Sequence, residues 1–206
     1  MKRERITTMR RLREIVGEPS HRVTGKEIDH IDGICERFIA ASSYLLVGSR
    51  GADGRMDVSP RGDPAGFVQV LDPKTLAIPD RPGNKRIDTF ENLLTDPEVG
   101  LLFLIPGYAL TLRVSGTASI VRDPDLQSSM AVNGREPHLV MLATVSKAFM
   151  HCAKSIARGG MWTPDQWSDT SDVPSLAEAM VAHAELSEST SRMQAIIDDD
   201  FEERMY

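Results

Sequence analysis

Cysteine is nearly absent. The 206 residues hold only Cys35 and Cys152, too few for a disulfide framework or a four-thiolate metal site. Aromatic residues are sparse as well, at 5%. No apolar run approaches the ~18 residues of a membrane-crossing helix, and the longest, Val99 to Ile105, has the length of a strand. The charged start, Met1 to Arg5, is followed by no hydrophobic signal core. Basic charge is in deficit too. With 24 Lys and Arg against 30 Asp and Glu the net charge is −6, which argues against a nucleic-acid partner. The expectation is a cytoplasmic protein with no nucleic acid, no membrane and no metal among its partners.

What remains is an ordinary globular balance, 41% hydrophobic and 26% charged, which excludes collagen-like, low-complexity and wholly disordered chains. The length fits a single domain over 1–206, with helical extensions over 1–42 and 154–206. In the first extension Ile6, Met9, Leu12 and Ile15 form one helical stripe. Thr24 and Glu27 have capping-box spacing and predict a second helix, with a stripe running from Ile28 through Ile34 and Phe38 to Ile39. Both helices are expected to cover a sheet.

From Ser43 the pattern shortens to strands. Tyr44 to Gly48 is a compact apolar run, and a turn at Ala52-Asp53-Gly54 leads into alternating Met56 and Val58. Two prolines and two glycines between Pro60 and Gly66 are expected to end regular pairing there. Further strands are expected at Phe67–Leu71, Thr75–Ile78, Glu98–Ile105, Ala109–Val121 and His138–Ala148. Short helices are expected over Arg86–Leu94 and from Asp123-Pro124, with a turn at Asn133-Gly134. After Lys154 the pattern is helical again. Mostly hairpin connections point to a mainly β, α+β fold: a six-stranded antiparallel barrel with flanking helices.

Two strings carry chemistry. Val58-Ser59-Pro60-Arg61-Gly62-Asp63 and Ile78-Pro79-Asp80-Arg81-Pro82-Gly83-Asn84-Lys85-Arg86 each put a cation beside Gly or Pro at a strand end. Lys85 and Arg86 would open a helix, where free N–H groups favour an anion such as a phosphate. The plainer alternative is a solvated basic turn, with Arg61 and Asp63 paired on the surface. His151 and Cys152 are neighbours and would face opposite ways in a strand, so Cys152 reads as a buried small hydrophobe. Asp29, His30 and Asp32 read as a solvated face. Trp162 and Trp167 flank a loop that could cover a flat ligand or plug the edge of the core.

These strings, with Val99 to Gly107 and His151-Cys152-Ala153-Lys154-Ser155, resemble the flavin-binding split-barrel superfamily of pyridoxamine 5′-phosphate oxidase-like proteins, in a branch of FMN-dependent enzymes. The resemblance implies an FMN-dependent oxidoreductase working as a homodimer, with FMN at the subunit interface and NAD(P)H as a candidate electron donor to a small-molecule substrate. By position, Ser59 and Arg61 would lie along the cofactor, Pro79 and Asp80 would meet its ring or ribityl chain, and Asn84, Lys85 and Arg86 would hold its 5′-phosphate. Thr111 and Arg113 would come from a facing strand, and His151, Lys154 and Ser155 from the partner chain. No catalytic acid or base is assigned. The acidic C-terminus lacks the Arg- and His-containing segment of true pyridoxamine-phosphate oxidases, which argues against that substrate. A flavin-sequestering or sensing protein without turnover is the alternative.

Overall fold

The computed structural model describes residues 3–206. The first helix, α1 (Met9–Val16), starts at Thr8, whose hydroxyl accepts from Arg11 N at 3.2 Å. Its apolar stripe forms, yet none of its residues is buried, so it does not cover the sheet as expected.

The second helix departs further from expectation. Thr24 ends the four-residue α2 (His21–Thr24) rather than starting a long helix, and Ile28 forms a β-bridge with Ala148. The helix proper is α3 (Gly33–Ala41). Asp32 sets its start by accepting from Ile34 N and Cys35 N at 3.0 and 2.9 Å, which satisfies two of the free N–H groups. Cys35, Phe38 and Ile39 on α3 are buried against the sheet.

The strands are β1 (Tyr44–Arg50), β2 (Met56–Gly62), β3 (Gln69–Asp72), β4 (Thr75–Pro79), β5 (Glu98–Ile105), β6 (Tyr108–Val121) and β7 (Val140–His151). They make one seven-stranded antiparallel sheet, ordered β2-β1-β5-β6-β7-β4-β3, one strand more than expected. β2 and β3 are its edges, and the gap between them is the split in the barrel. Pro60 does not end pairing: β2 runs through it, with Leu46 opposite Pro60 and Leu45 opposite Arg61. An edge strand tolerates the missing donor, because only one side of it must hydrogen-bond.

Alternation sorts the side chains by face. Leu45, Val47, Leu101, Phe103, Leu112 and Val114 point inward and are buried. On the outer face one row of register partners runs from Pro60 through Leu46, Leu102 and Arg113 to Phe149.

Short helices fill the connections: α4 (Asp88–Leu93), α5 (Pro124–Ser129), capped as expected by Asp123, and α6 (Lys154–Arg158). Asn133 and Gly134, both at positive φ, make the expected turn, closed by a bridge between Val132 and Arg135. The chain ends in α7 (Leu176–His183) and α8 (Thr190–Arg204). Among the described residues no helix is long and apolar enough to cross a membrane.

Candidate functional site

The split opens into a cavity of about 610 Å³, within the ~300–1,000 Å³ range of small-molecule and cofactor sites. Its first wall is the inward face of β2, where Asp57, Ser59 and Arg61 recur at every second residue. Its second wall follows β4. Buried Pro79 lies opposite Val140, and Asp80 N donates to Leu139 O at 3.0 Å, so the chain leaves the sheet at a fixed place. The turn Arg81 to Ile87 and the start of α4 close the far side. His138, Leu139 and Arg204 complete the lining.

Arg61 spans the two walls. Its guanidinium lies 3.6 Å from Asp80 Oδ1 and 5.7 Å from the centre of the Phe90 ring. Burial pushes the Asp80 carboxyl above the usual aspartate range, opposed by the charges of Arg61, His138 and Arg81. Asp63, by contrast, does not pair with Arg61 on the surface. Its side chain is 1% exposed and accepts from Arg81 Nε at 2.5 Å and from the Tyr206 hydroxyl at 3.0 Å. Arg81 also donates to Met130 O at 2.7 Å. One guanidinium thus ties the two lips of the split together, and the last residue of the chain is tied to the same carboxylate.

The basic turn differs from its expected form. Lys85 and Arg86 precede α4 instead of forming its first turn, so no helix end supplies them with free N–H groups. Asn84 Oδ1 accepts from Arg86 N at 3.0 Å, while Lys85 and Ile87 take left-handed backbone, φ 62 and 53. That conformation is unfavourable for any residue with a Cβ and most of all for β-branched Ile. Arg86 forms a two-point contact with Asp88, at 2.8 and 3.1 Å. Lys85 is exposed and makes no ion pair among the described residues. Two polar atoms beside the cavity, Asp57 Oδ2 and Thr89 Oγ1, are buried without a hydrogen-bond partner.

Six of the residues singled out from sequence, Ser59, Arg61, Asp80, Asn84, Lys85 and Arg86, line this one cavity, and Pro79 lines an adjoining one. Thr111, Arg113, His151, Lys154 and Ser155 do not line it. Thr111 lies opposite His151 on the outer face, and Arg113 stacks 5.4 Å from the centre of the Phe149 ring. Ser59 and Arg61 point to the inner face. The two groups therefore lie on opposite sides of the sheet. Sequence reasoning missed Asp63, His138, Arg204 and Tyr206 as neighbours of the site. Asp63 was legible only as one half of a charged pair, and the others are brought in by long-range packing.

Cys152 is exposed, contrary to the buried reading, while Cys35 is buried. Burial pushes the Cys35 thiol up to about 11, so it stays protonated and inert. Trp162 and Trp167 hydrogen-bond to Tyr108 O and Gly160 O, each at 3.0 Å, and neither lines the cavity. Among the described residues no group of three or more His, Cys, Asp or Glu side chains could hold a metal ion.

Residues 31–152 match the family model described as pyridoxamine 5′-phosphate oxidase. The chain belongs to that family. Its core strands and the whole candidate site, apart from the contributions of Arg204 and Tyr206, fall inside the matched stretch. Solved structures with a similar chain path include HupZ of Group A Streptococcus, 18% identical, covering 59% of this chain and 99% of that one with a TM-score of 0.49. A putative pyridoxamine 5′-phosphate oxidase of Lactobacillus delbrueckii is 20% identical, covering 59% of this chain and 95% of that one, TM-score 0.47. An FMN-binding protein of Syntrophomonas wolfei is 8% identical, covering 58% of this chain and 90% of that one, TM-score 0.41. No curated protein matches the chain.

Proposed function

We propose that the cavity in the split holds FMN and that the protein is an FMN-dependent oxidoreductase acting as a homodimer. The observation that carries this reading is the convergence of Arg61, Asn84, Lys85 and Arg86 on one cavity in a chain of net negative charge. An acidic protein that gathers cations around a strained turn has placed them to meet an anion. Membership of an oxidase family supports redox chemistry there.

In this reading Lys85, free of a carboxylate partner, holds the 5′-phosphate together with Arg86, which exchanges Asp88 for the phosphate oxygens. Asn84 fixes the turn through its contact with Arg86 N. Ser59, Arg61 and Pro79 flank the remainder of the cofactor. The bound flavin would supply the redox step by accepting a hydride from a small-molecule substrate or from NAD(P)H. Asp80 holds a proton more readily than an ordinary aspartate, at the wall where Arg61 can orient it. Thr111, Arg113, His151, Lys154 and Ser155 serve the site of a second copy. The outer sheet face supports that pairing, since Tyr44, Leu46, Val58 and Leu102 leave apolar surface open there.

The test is an absorbance spectrum taken after incubation with FMN and desalting. Retained flavin bands are the expected outcome, and a colourless protein overturns the reading. Bleaching of the bound flavin by NADH or NADPH under anaerobic conditions separates an oxidoreductase from a flavin-sequestering protein.

A further inference from the structure

The first and last thirds of the chain carry complementary surfaces that the fold of one copy leaves uncovered. Residues 3–25 hold six arginines (Arg3, Arg5, Arg10, Arg11, Arg13 and Arg22) against three glutamates. Residues 161–189 hold six carboxylates, among them Asp165, Asp169, Asp172 and Glu178, and neither Lys nor Arg. Each segment also shows large apolar side chains to solvent. In the first, Met9 is 66% and Ile15 is 56% exposed; in the second, Trp167, Val173 and Leu176 are 61%, 63% and 63% exposed.

The helix α1 makes the need acute. It has eight residues, an apolar stripe and no buried side chain. A helix that short is marginal in water unless packing covers its apolar face. Its internal ion pairs, Arg10 with Glu14 and Arg11 with Glu4 and Glu14, sit in solvent and contribute little. The apolar stripe requires a cover, and the surplus of arginine requires that the cover be acidic.

We infer that α1 of one copy docks on the acidic, apolar 161–189 segment of a second copy. Met9, Leu12 and Ile15 would lie against Trp167, Val173 and Leu176, with the arginines facing the carboxylates of Asp165, Asp169, Asp172 and Glu178. This contact is separate from the outer sheet face and from the flavin cavity. It rests only on the homodimer within the proposed function. It gives the dimer an electrostatic component that is screened by salt.

Two charge-reversed full-length chains test it. One carries Arg10→Glu, Arg13→Glu and Arg22→Glu; the other carries Asp165→Lys, Asp169→Lys and Asp172→Lys. In each homodimer like charges face one another at both contacts. In the mixed dimer both contacts are attractive again. Native mass spectrometry of an equimolar mixture after subunit exchange should show the mixed dimer above nine-tenths of all dimers, where random exchange gives about half. Random mixing overturns the inference while leaving the homodimer intact, because it means that α1 docks within its own chain or elsewhere. Sedimentation of the wild-type chain with phosphatidylserine vesicles, together with random mixing, overturns it in favour of a membrane surface. A wild-type chain that stays monomeric overturns both this contact and the dimer of the proposed function.

Discussion

The interior of the barrel and the turn from Asp80 to Asp88 lie a few residues apart in sequence and obey different rules. Inside, Leu45, Phe103 and Leu112 have no exposed surface, alternate cleanly with the outer face and contain no polar atom to satisfy. Apolar burial accounts for them fully. The turn has the reverse character. It places Lys85 and Ile87 in left-handed backbone, brings Arg81, Lys85 and Arg86 together, and borders two buried polar atoms without partners. Nothing in folding alone favours that arrangement. A region that costs the fold and is nevertheless kept is where a ligand should be sought.

The contrast can be broken most forcefully from the inside. Phe103→Ala should cost about 3–5 kcal/mol of stability by leaving a cavity between the sheet and its covering helices. Urea unfolding measures this. A loss no larger than that of a surface substitution would mean that the inner face is not the core.

Next in size, Lys85→Ala and Arg86→Ala should each weaken FMN binding by about 1.5–3 kcal/mol per charged hydrogen bond lost, read by flavin fluorescence titration. Lys85→Gly sharpens the point, because relief of the left-handed strain should keep or raise the melting temperature while binding still falls. Stability and affinity moving together would place Lys85 with the scaffold.

The smallest effect is expected at Asp80. Burial raises its folded pKa, so the protonated form favours the folded state. That contribution is complete below the ordinary aspartate value of about 3.9 and is lost as pH rises through the folded value. Asp80→Asn should therefore melt higher than wild type at neutral pH and converge with it in acid. A gap that widened toward acid would mean that the pair with Arg61 outweighs burial.

Much of the sheet was legible because period-two alternation is a local signal, and Leu45, Val47, Leu101 and Phe103 display it without help. The start of α3 was misplaced because Thr24 and Glu27 imitate a cap, whereas Asp32 provides one and Ile28 is drawn off to pair with Ala148. Pro60 was read as a break because sequence does not show that β2 would be an edge. At the site, the strings around Arg61 and Lys85 stood out by composition. The partner of Asp63 did not, since Tyr206 lies 143 residues away and no local rule connects them.

The opposite facing of Arg61 and Arg113 has a thermodynamic consequence. A small molecule touched by both must bridge two chains, so loading and assembly become a single mass-action equilibrium. Diluting the protein would then release the molecule even with every side chain intact, and an excess of the molecule would hold together chains that dilution alone would part.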